Sequence, residues 1–213
     1  VARDIELARY LDVPLHFAHI STARSVDLIR RAKKDGIKVT AETAPHYLML
    51  TIKDIEKANF HTNFKVNPPI GEDDDKAALI KGLKDGTIDC IATDHAPHTK
   101  LDKEGTFVGA AFGMIGLETA FSLINELVQK KIFSLNDLVK FMSYNPALVI
   151  GKSDRGEIKE GMKADFAIVD TESEWIFEEN GIVSKSKNSP FLGRKMKGQV
   201  LATIFEGKVV YRA

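Results

Sequence analysis

Apolar positions in the first part of the chain alternate between two spacings. Residues 2–11 carry Ile5, Leu7, Ala8 and Leu11 at helical spacing, with charges between them. Residues 13–20 follow as a short apolar strand. Ser21 and Thr22 then make a turn and an N-cap for a helix over 24–34, where Val26, Ile29, Ala32 and Lys33 share one face. Asp35-Gly36 closes that helix, glycine being the common residue just past a last helical turn. Residues 37–42 form a second strand, and 43–48 leave its C-terminal end. A short helix over 51–57 and a turn at 59–63 come next. Residues 64–69 are extended, because Pro68 and Pro69 disfavour helix in the residues before them. A helix over 73–83 has three acids in its first turn, which its dipole favours. Gly86 stops it, and a third strand runs over 88–92. Strand, helix, strand, helix, strand, with crossovers of this length, predicts an α/β fold with parallel pairing.

The second part reads differently. Residues 99–113 are a glycine-containing loop of mixed charge without clear periodicity, and loops of that length are commonly functional. Helices are expected over 114–130 and 134–141, the second capped by Ser134, with Tyr144-Asn145-Pro146 breaking the pattern. From Gly156 the texture is that of short β segments, at 156–158, 161–170 and 175–177. Residues 200–211 form a hairpin that turns at Glu206-Gly207. The cation-rich stretch 185–197, with Pro190, reads as an exposed connection; no aromatic series accompanies it to stack on nucleic acid.

Bulk properties narrow the function classes. Lys plus Arg and Asp plus Glu balance at 30 each, so no long-range field draws the chain to nucleic acid or an anionic membrane. Its 213 residues, 44% hydrophobic, suit one large domain or one domain with a piece of another. A single cysteine, Cys90, lies inside the third strand as a core residue; it excludes an internal disulfide and suits a reducing cytosol. No apolar run approaches the roughly 20 residues of a membrane span, and no signal-peptide pattern is present, so a cytoplasmic location is expected.

The candidate chemistry sits at strand ends. Thr93-Asp94-His95-Ala96-Pro97-His98 closes the third strand with one carboxylate and two imidazoles. A capping Asp before a polar turn would explain Asp94 alone, but not the histidines with it. His19 ends the first strand in the corresponding place. In a parallel barrel these ends converge on one face, where an imidazole and a carboxylate can share a metal ion. Zinc takes three or four protein ligands, and no His-x-His, Cys-x-x-Cys or His-Glu-x-x-His occurs, so these residues make half a metal site. His16, three residues before His19, points to the opposite strand face and reads as structural. His46 either supports a metal ligand or hydrogen-bonds backbone, and His61 lies in a polar turn. His95 faces away from Asp94 if the strand continues, whereas His98 can bend back over the site. Asn67 is either a turn residue before Pro68-Pro69 or a neutral donor and acceptor for an amide-containing ligand. Phe112-Gly113 is either a helix entry or a place where ligand atoms meet backbone, since glycine allows close approach.

Five motifs in order then carry a resemblance. They are His19-Ile20-Ser21-Thr22, Ala41 to Leu48, Lys65-Val66-Asn67-Pro68-Pro69, Thr93 to His98, and Phe112-Gly113-Met114-Ile115-Gly116-Leu117-Glu118-Thr119. The set resembles the C-terminal half of the bacterial type I dihydroorotases, in the zinc amidohydrolase superfamily. The segments 161–170, 187–191 and 198–211 resemble that family's C-terminal β segment. The resemblance implies the C-terminal part of a TIM-type (β/α)8 metal-dependent hydrolase barrel, strands six to eight, over 1–154. It implies the C-terminal segment of a small composite β domain over 155–213. It also implies reversible conversion of N-carbamoyl-L-aspartate to dihydroorotate with one or two zinc ions (Zn2+). His19 and Asp94 would be zinc ligands and Asp94 the general acid/base. Asn67, His98 and the Phe112-Gly113 backbone would hold substrate, with loop 99–111 near the mouth. The partners implied are the small-molecule substrate, further copies of the same chain, and aspartate transcarbamoylase. An allantoinase- or dihydropyrimidinase-like hydrolase is the alternative activity, and an inactive structural partner of aspartate transcarbamoylase the alternative of another class. The family's His-x-His, its following Arg, its bridging carboxylate or carboxylated Lys and its fifth-strand His are absent. A fragment of a longer protein is therefore expected.

Overall fold

Three short parallel strands underlie the first part of the chain in the computed structural model, which describes residues 1–213. They are β1 (Leu15–Phe17), β2 (Val39–Thr43) and β3 (Cys90–Ile91), in the order β1-β2-β3. Leu15 pairs with Val39 and Phe17 with Ala41; Glu42 pairs with Cys90 and Thr43 with Ile91. The chain divides into two compact units, residues 1–116 with 184–190 and residues 117–183 with 191–213.

In the first unit, α1 (Ala2–Leu11) precedes the sheet, and α2 (Ala23–Lys34) links β1 to β2. The connection to β3 contains α3 (Pro45–Met49), α4 (Ile52–Lys57) and α5 (Asp73–Lys84), and α6 (Lys100–Lys103) lies beyond β3. Val26, Ile29 and Ala32 of α2 are buried, so its expected apolar stripe does face a core, and Leu79 and Leu83 of α5 are buried as well. The two helices are also tied at their starts. Thr22 Oγ1 accepts from Ser25 N, while Asp75, in the acidic first turn of α5, accepts from Ala23 N at 2.8 Å. One of α2's unpaired N-terminal donors is thus satisfied by its neighbour helix. Lys33, expected on the buried stripe, instead extends its ammonium to both oxygens of Asp89 (2.8 and 2.7 Å). Asp89 in turn accepts from Ala41 N at 2.7 Å, which fixes the entry to β3. The residues after β2, expected only to leave the strand, form α3, with Pro45 in its first turn where a missing N–H costs nothing.

In the second unit, α7 (Leu117–Gln129) is followed by α8 (Leu135–Val139), a π-helical turn (Lys140–Tyr144) and α9 (Asn145–Val149). The expected break at 144–146 is therefore absorbed: Pro146 falls in the first turn of α9. Strands β4 (Phe166–Ile176), β5 (Lys195–Phe205) and β6 (Lys208–Arg212) form an antiparallel sheet in that order. The hairpin turns where expected, with Glu206 and Gly207 both at positive φ (47° and 78°), as a two-residue turn matching strand twist requires. Asn125 on α7 donates to Thr171 O and Lys197 O, and Ser122 to Gly198 O, stitching helix to sheet. The stretch 185–197 is not an exposed connection throughout: Asn188, Ser189, Phe191 and Met196 are buried. No helix of the chain is long and apolar enough to cross a membrane.

Candidate active site

Parallel pairing brings the C-terminal ends of β1, β2 and β3 to one side of the sheet. His19 lies two residues beyond β1, His46 in the first turn of the helix after β2, and Asp94 three residues beyond β3. His19 and Asp94 both have left-handed backbone, φ 45° and 49°. For residues with a Cβ that conformation costs about 1 kcal/mol or more and persists only where neighbours enforce it. Here β2 enforces both. Ile20 N donates to Glu42 O (2.8 Å) and Thr43 Oγ1 to Ile20 O (2.7 Å), holding the chain after His19. Ala92 N donates to Thr43 O (2.9 Å), holding the chain before Asp94.

The electrostatics couple these three side chains. Burial pushes the Asp94 carboxyl above its ordinary range; His19 opposes that and Glu42 adds to it. Burial, with His19 second, lowers the His46 imidazole to about 3, so His46 is neutral at ordinary pH. His46 Nε2 lies 3.7 Å from Asp94 Oδ2, beyond hydrogen-bond length. Both His46 Nε2 and His19 Nδ1 are buried without a hydrogen-bond partner. Such nitrogens are costly to leave unpaired unless something else engages them. Imidazole nitrogen and carboxylate are zinc-type donors, so His19 and Asp94 fit a share of a metal site. No group of three or more His, Cys, Asp or Glu in the chain is arranged to hold a metal ion, so the share is not a whole site. A cavity of about 400 Å³ is lined by His19 with His16, Ser21, Thr22, Pro68 and Pro69; Asp94 and His46 are not part of its lining. Asn67 is exposed next to that lining.

The remaining predicted residues form a second cluster. His98 Nε2–H donates to Phe112 O at 2.7 Å, which leaves Nδ1 as the acceptor of the neutral ring. Gly113 has φ 134°, and a Cβ there would stand 2.5 Å from Ala96 Cβ and 3.0 Å from His98 Nε2. A Cβ on Gly116 would stand 2.5 Å from Thr93 O. The glycines of the 112–116 motif thus exist to let it lie against 93–98. His95 Nδ1 accepts from Gly116 N (3.1 Å) and so belongs to this packing. Two buried lysines, Lys65 and the loop's own Lys103, bond backbone carbonyls of loop 99–113. Lys65 donates to Val108 O and Ala110 O, both at 2.6 Å, and its ammonium sits 4.3 Å from the Phe112 ring centroid. Lys103 donates to Ala111 O (2.8 Å) and Gly113 O (3.0 Å). Burial, then Lys65, brings the Lys103 ammonium down to about 8.

Sequence reasoning left His46 undecided and assigned no role to Lys65, Lys103 or Asn188. His46 becomes readable only once α3 forms and buries it. His16 is bonded through both nitrogens, to Thr40 Oγ1 (2.8 Å) and Glu42 Oε2 (3.2 Å), in line with a structural role. Burial, with Glu42 and Asp89, pushes the Cys90 thiol up to about 12, so it carries no thiolate chemistry.

Against known proteins, the family profile described as "Amidohydrolase family" matches residues 1–210. A dihydroorotase of Endomicrobium trichonymphae is 52% identical over 213 residues, covering 100% of this chain and 50% of its own. One from Thermoanaerobacter sp. (strain X514) is also 52% identical over 213 residues, covering 100% and 48%. The chain spans about half the length of the curated relatives it matches. Among solved structures, the L-hydantoinase (dihydropyrimidinase) of Arthrobacter aurescens is similar with TM-score 0.92 and 31% identity, over 99% of this chain and 47% of that one. A D-hydantoinase is similar with TM-score 0.91 and 28% identity, over 99% and 48%. The parallel strand–helix repeat is accordingly part of a TIM-type barrel, as expected from the sequence.

Proposed function

This chain belongs to the amidohydrolase family, and from that premise we propose that it provides the acid/base and substrate-binding part of a zinc-dependent dihydroorotase. The reaction is the reversible ring closure of N-carbamoyl-L-aspartate to dihydroorotate. The observation that carries the reading is the gathering of His19, His46 and Asp94 at the ends of parallel strands, with His19 and Asp94 in left-handed backbone and one nitrogen each of His19 and His46 buried without a partner. Identity near one half across the whole chain to proteins named dihydroorotase favours that substrate.

His19 and Asp94 would hold the metal, with further ligands from outside these 213 residues. When bound, zinc supplies a Lewis acid for the amide carbonyl and lowers the pKa of water. In the ring-opening direction Asp94 takes the proton of the attacking water and returns it to the departing ring nitrogen, and in ring closure the same transfers run in reverse. A carboxylate beside a dication stays ionised, ready to accept, whatever burial alone would do to it. His98, through Nδ1, and the second lone pair of Phe112 O bind the polar edge of the ring; Asn67 adds a neutral donor and acceptor at the mouth. The barrel part up to residue 154, the small β segment from 155, an assembly of identical subunits, association with aspartate transcarbamoylase and a cytoplasmic location belong to the same reading.

Similarity to hydantoinase structures supports a second reading, a hydrolase of other cyclic amides. Ring-opening rates of the full-length protein on dihydroorotate, hydantoin and dihydrouracil separate the two. Preference for dihydroorotate by ~100-fold or more is expected, since a site built on hydrogen bonds to one substrate discriminates strongly against those lacking the groups. Faster turnover of hydantoin or dihydrouracil would overturn the first reading in favour of the second.

A further inference from the structure

Asn188 lies 90 residues from His98 in sequence and touches none of the reacting groups, yet it joins the two segments of the substrate cluster. Its side chain is only 5% exposed. Oδ1 accepts from His98 N at 3.1 Å, and Nδ2 donates to Ala96 O at 3.0 Å and to Gly113 O at 3.2 Å. Its backbone oxygen accepts from Ile115 N at 3.0 Å. On the far side, Ser189 O accepts from Asn63 Nδ2 at 3.2 Å. One planar amide thus spans the 93–98 loop and the 112–116 loop, supplying an acceptor to one and donors to both.

We propose that Asn188 is a positioning residue for substrate binding: it sets the spacing of His98 against Phe112-Gly113 and thereby the affinity for substrate. The proposal rests on the reading that His98, through Nδ1, and Phe112 O contact substrate. The chemistry required is narrow. Asp would keep the acceptor but lose both donors and set a charge against the carbonyls of Ala96 and Gly113. Ser and Ala are too short to reach both loops, and Gln places the amide one methylene too far. The loops also meet directly, through Ala96 N to Met114 O at 2.8 Å and Gly116 N to His95 Nδ1 at 3.1 Å; what the amide adds is a bond at His98 N itself and one at Gly113 O, next to Phe112. The amide thereby restrains His98 and Phe112-Gly113 together, and such pre-organisation is what a hydrogen-bonding ligand needs from its site.

The test measures kcat, KM for dihydroorotate, zinc per chain and thermal midpoint in the full-length, zinc-loaded protein and in Asn188→Asp, Asn188→Ala and His98→Ala. Removing buried hydrogen bonds made by one group is expected to raise KM ~10-fold or more in both Asn188 variants, with kcat changed less than ~3-fold and zinc content retained. Combining Asn188→Ala with His98→Ala is expected to raise KM by less than the product of the single effects, because both act through one contact. If His98→Ala raises KM while both Asn188 variants leave it within twofold, the positioning role is overturned and the substrate reading survives. If His98→Ala leaves KM unchanged, the substrate reading falls and the proposal falls with it. Loss of zinc, or a fall in kcat at constant KM, assigns Asn188 to general architecture and also overturns it. Should both Asn188 variants fail to fold, Asn63→Ala loosens the same segment from its other side; a KM rise of a few-fold then supports the role, and an unchanged KM sinks it.

Discussion

The two clusters of candidate residues differ in how their polar groups are satisfied. On the side of His19, His46 and Asp94, two buried imidazole nitrogens have no partner and two residues sit in left-handed backbone. On the side of His98, Phe112 and Gly113, His98 Nε2, Phe112 O and both backbone groups of Gly113 are engaged within the protein. On the first side β2 holds the backbone at both residues and the two nitrogens stay unpaired. On the second, Asn188, Lys65 and Lys103 tie the loops together. Unsatisfied, strained groups mark where a ligand must add bonding; satisfied ones mark where a shape is kept ready.

Substitutions can break this contrast at known places. The largest effect is expected from Asp94→Asn, which keeps the side-chain shape but removes the proton acceptor. The kcat of the full-length protein on dihydroorotate should fall ~10³-fold or more. A fall smaller than tenfold would remove Asp94 from the proton-transfer role. His19→Asn comes next. It should weaken zinc binding by ~100-fold, read by competition with a chelator, because lost ligand support costs at least that much; undiminished affinity would place the metal elsewhere. On the satisfied side, Gly113→Ala puts a Cβ 2.5 Å from Ala96 Cβ in backbone that L residues avoid. Urea unfolding should reveal a loss of about 2–3 kcal/mol from strain and overpacking, and a change under about 0.5 kcal/mol would mean that the two loops part easily. The smallest effect concerns Lys103, whose ammonium is depressed from 10.5 to about 8 in the folded chain. Between those values the unfolded chain binds the extra proton, so this group makes stability rise with pH from 8 to 10.5. Below pH 8 the cost of its buried charge is fully present. Lys103→Met should remove that rise from a series of unfolding curves across the window; an identical slope in both proteins would show that Lys103 is not the group responsible.

Much of this architecture was legible along the chain because it repeats at short range. Period-two and period-3.6 spacing locate β1, α2, β2, α5 and β3, and parallel order then puts His19 and Asp94 on one side. The Glu206-Gly207 turn is a local backbone requirement and is read directly. Lys33 illustrates the limit: its spacing puts it on the apolar stripe, but its ammonium escapes to Asp89, 56 positions away. Pro146 marks a break by every local rule, and a π turn places it where the break costs little.

By itself, the sequence determined the element order, the strand-end positions of the candidate ligands and the motifs that mark the family. Each depends on neighbours within a few residues. Only the tertiary structure decided which buried groups remain unpaired, that His46 joins His19 and Asp94, and that Asn188 binds two loops 92 and 75 positions away from it. Hydrogen bonds and burial depend on what the fold brings within about 3 Å, and no period along a chain encodes which distant atom that will be.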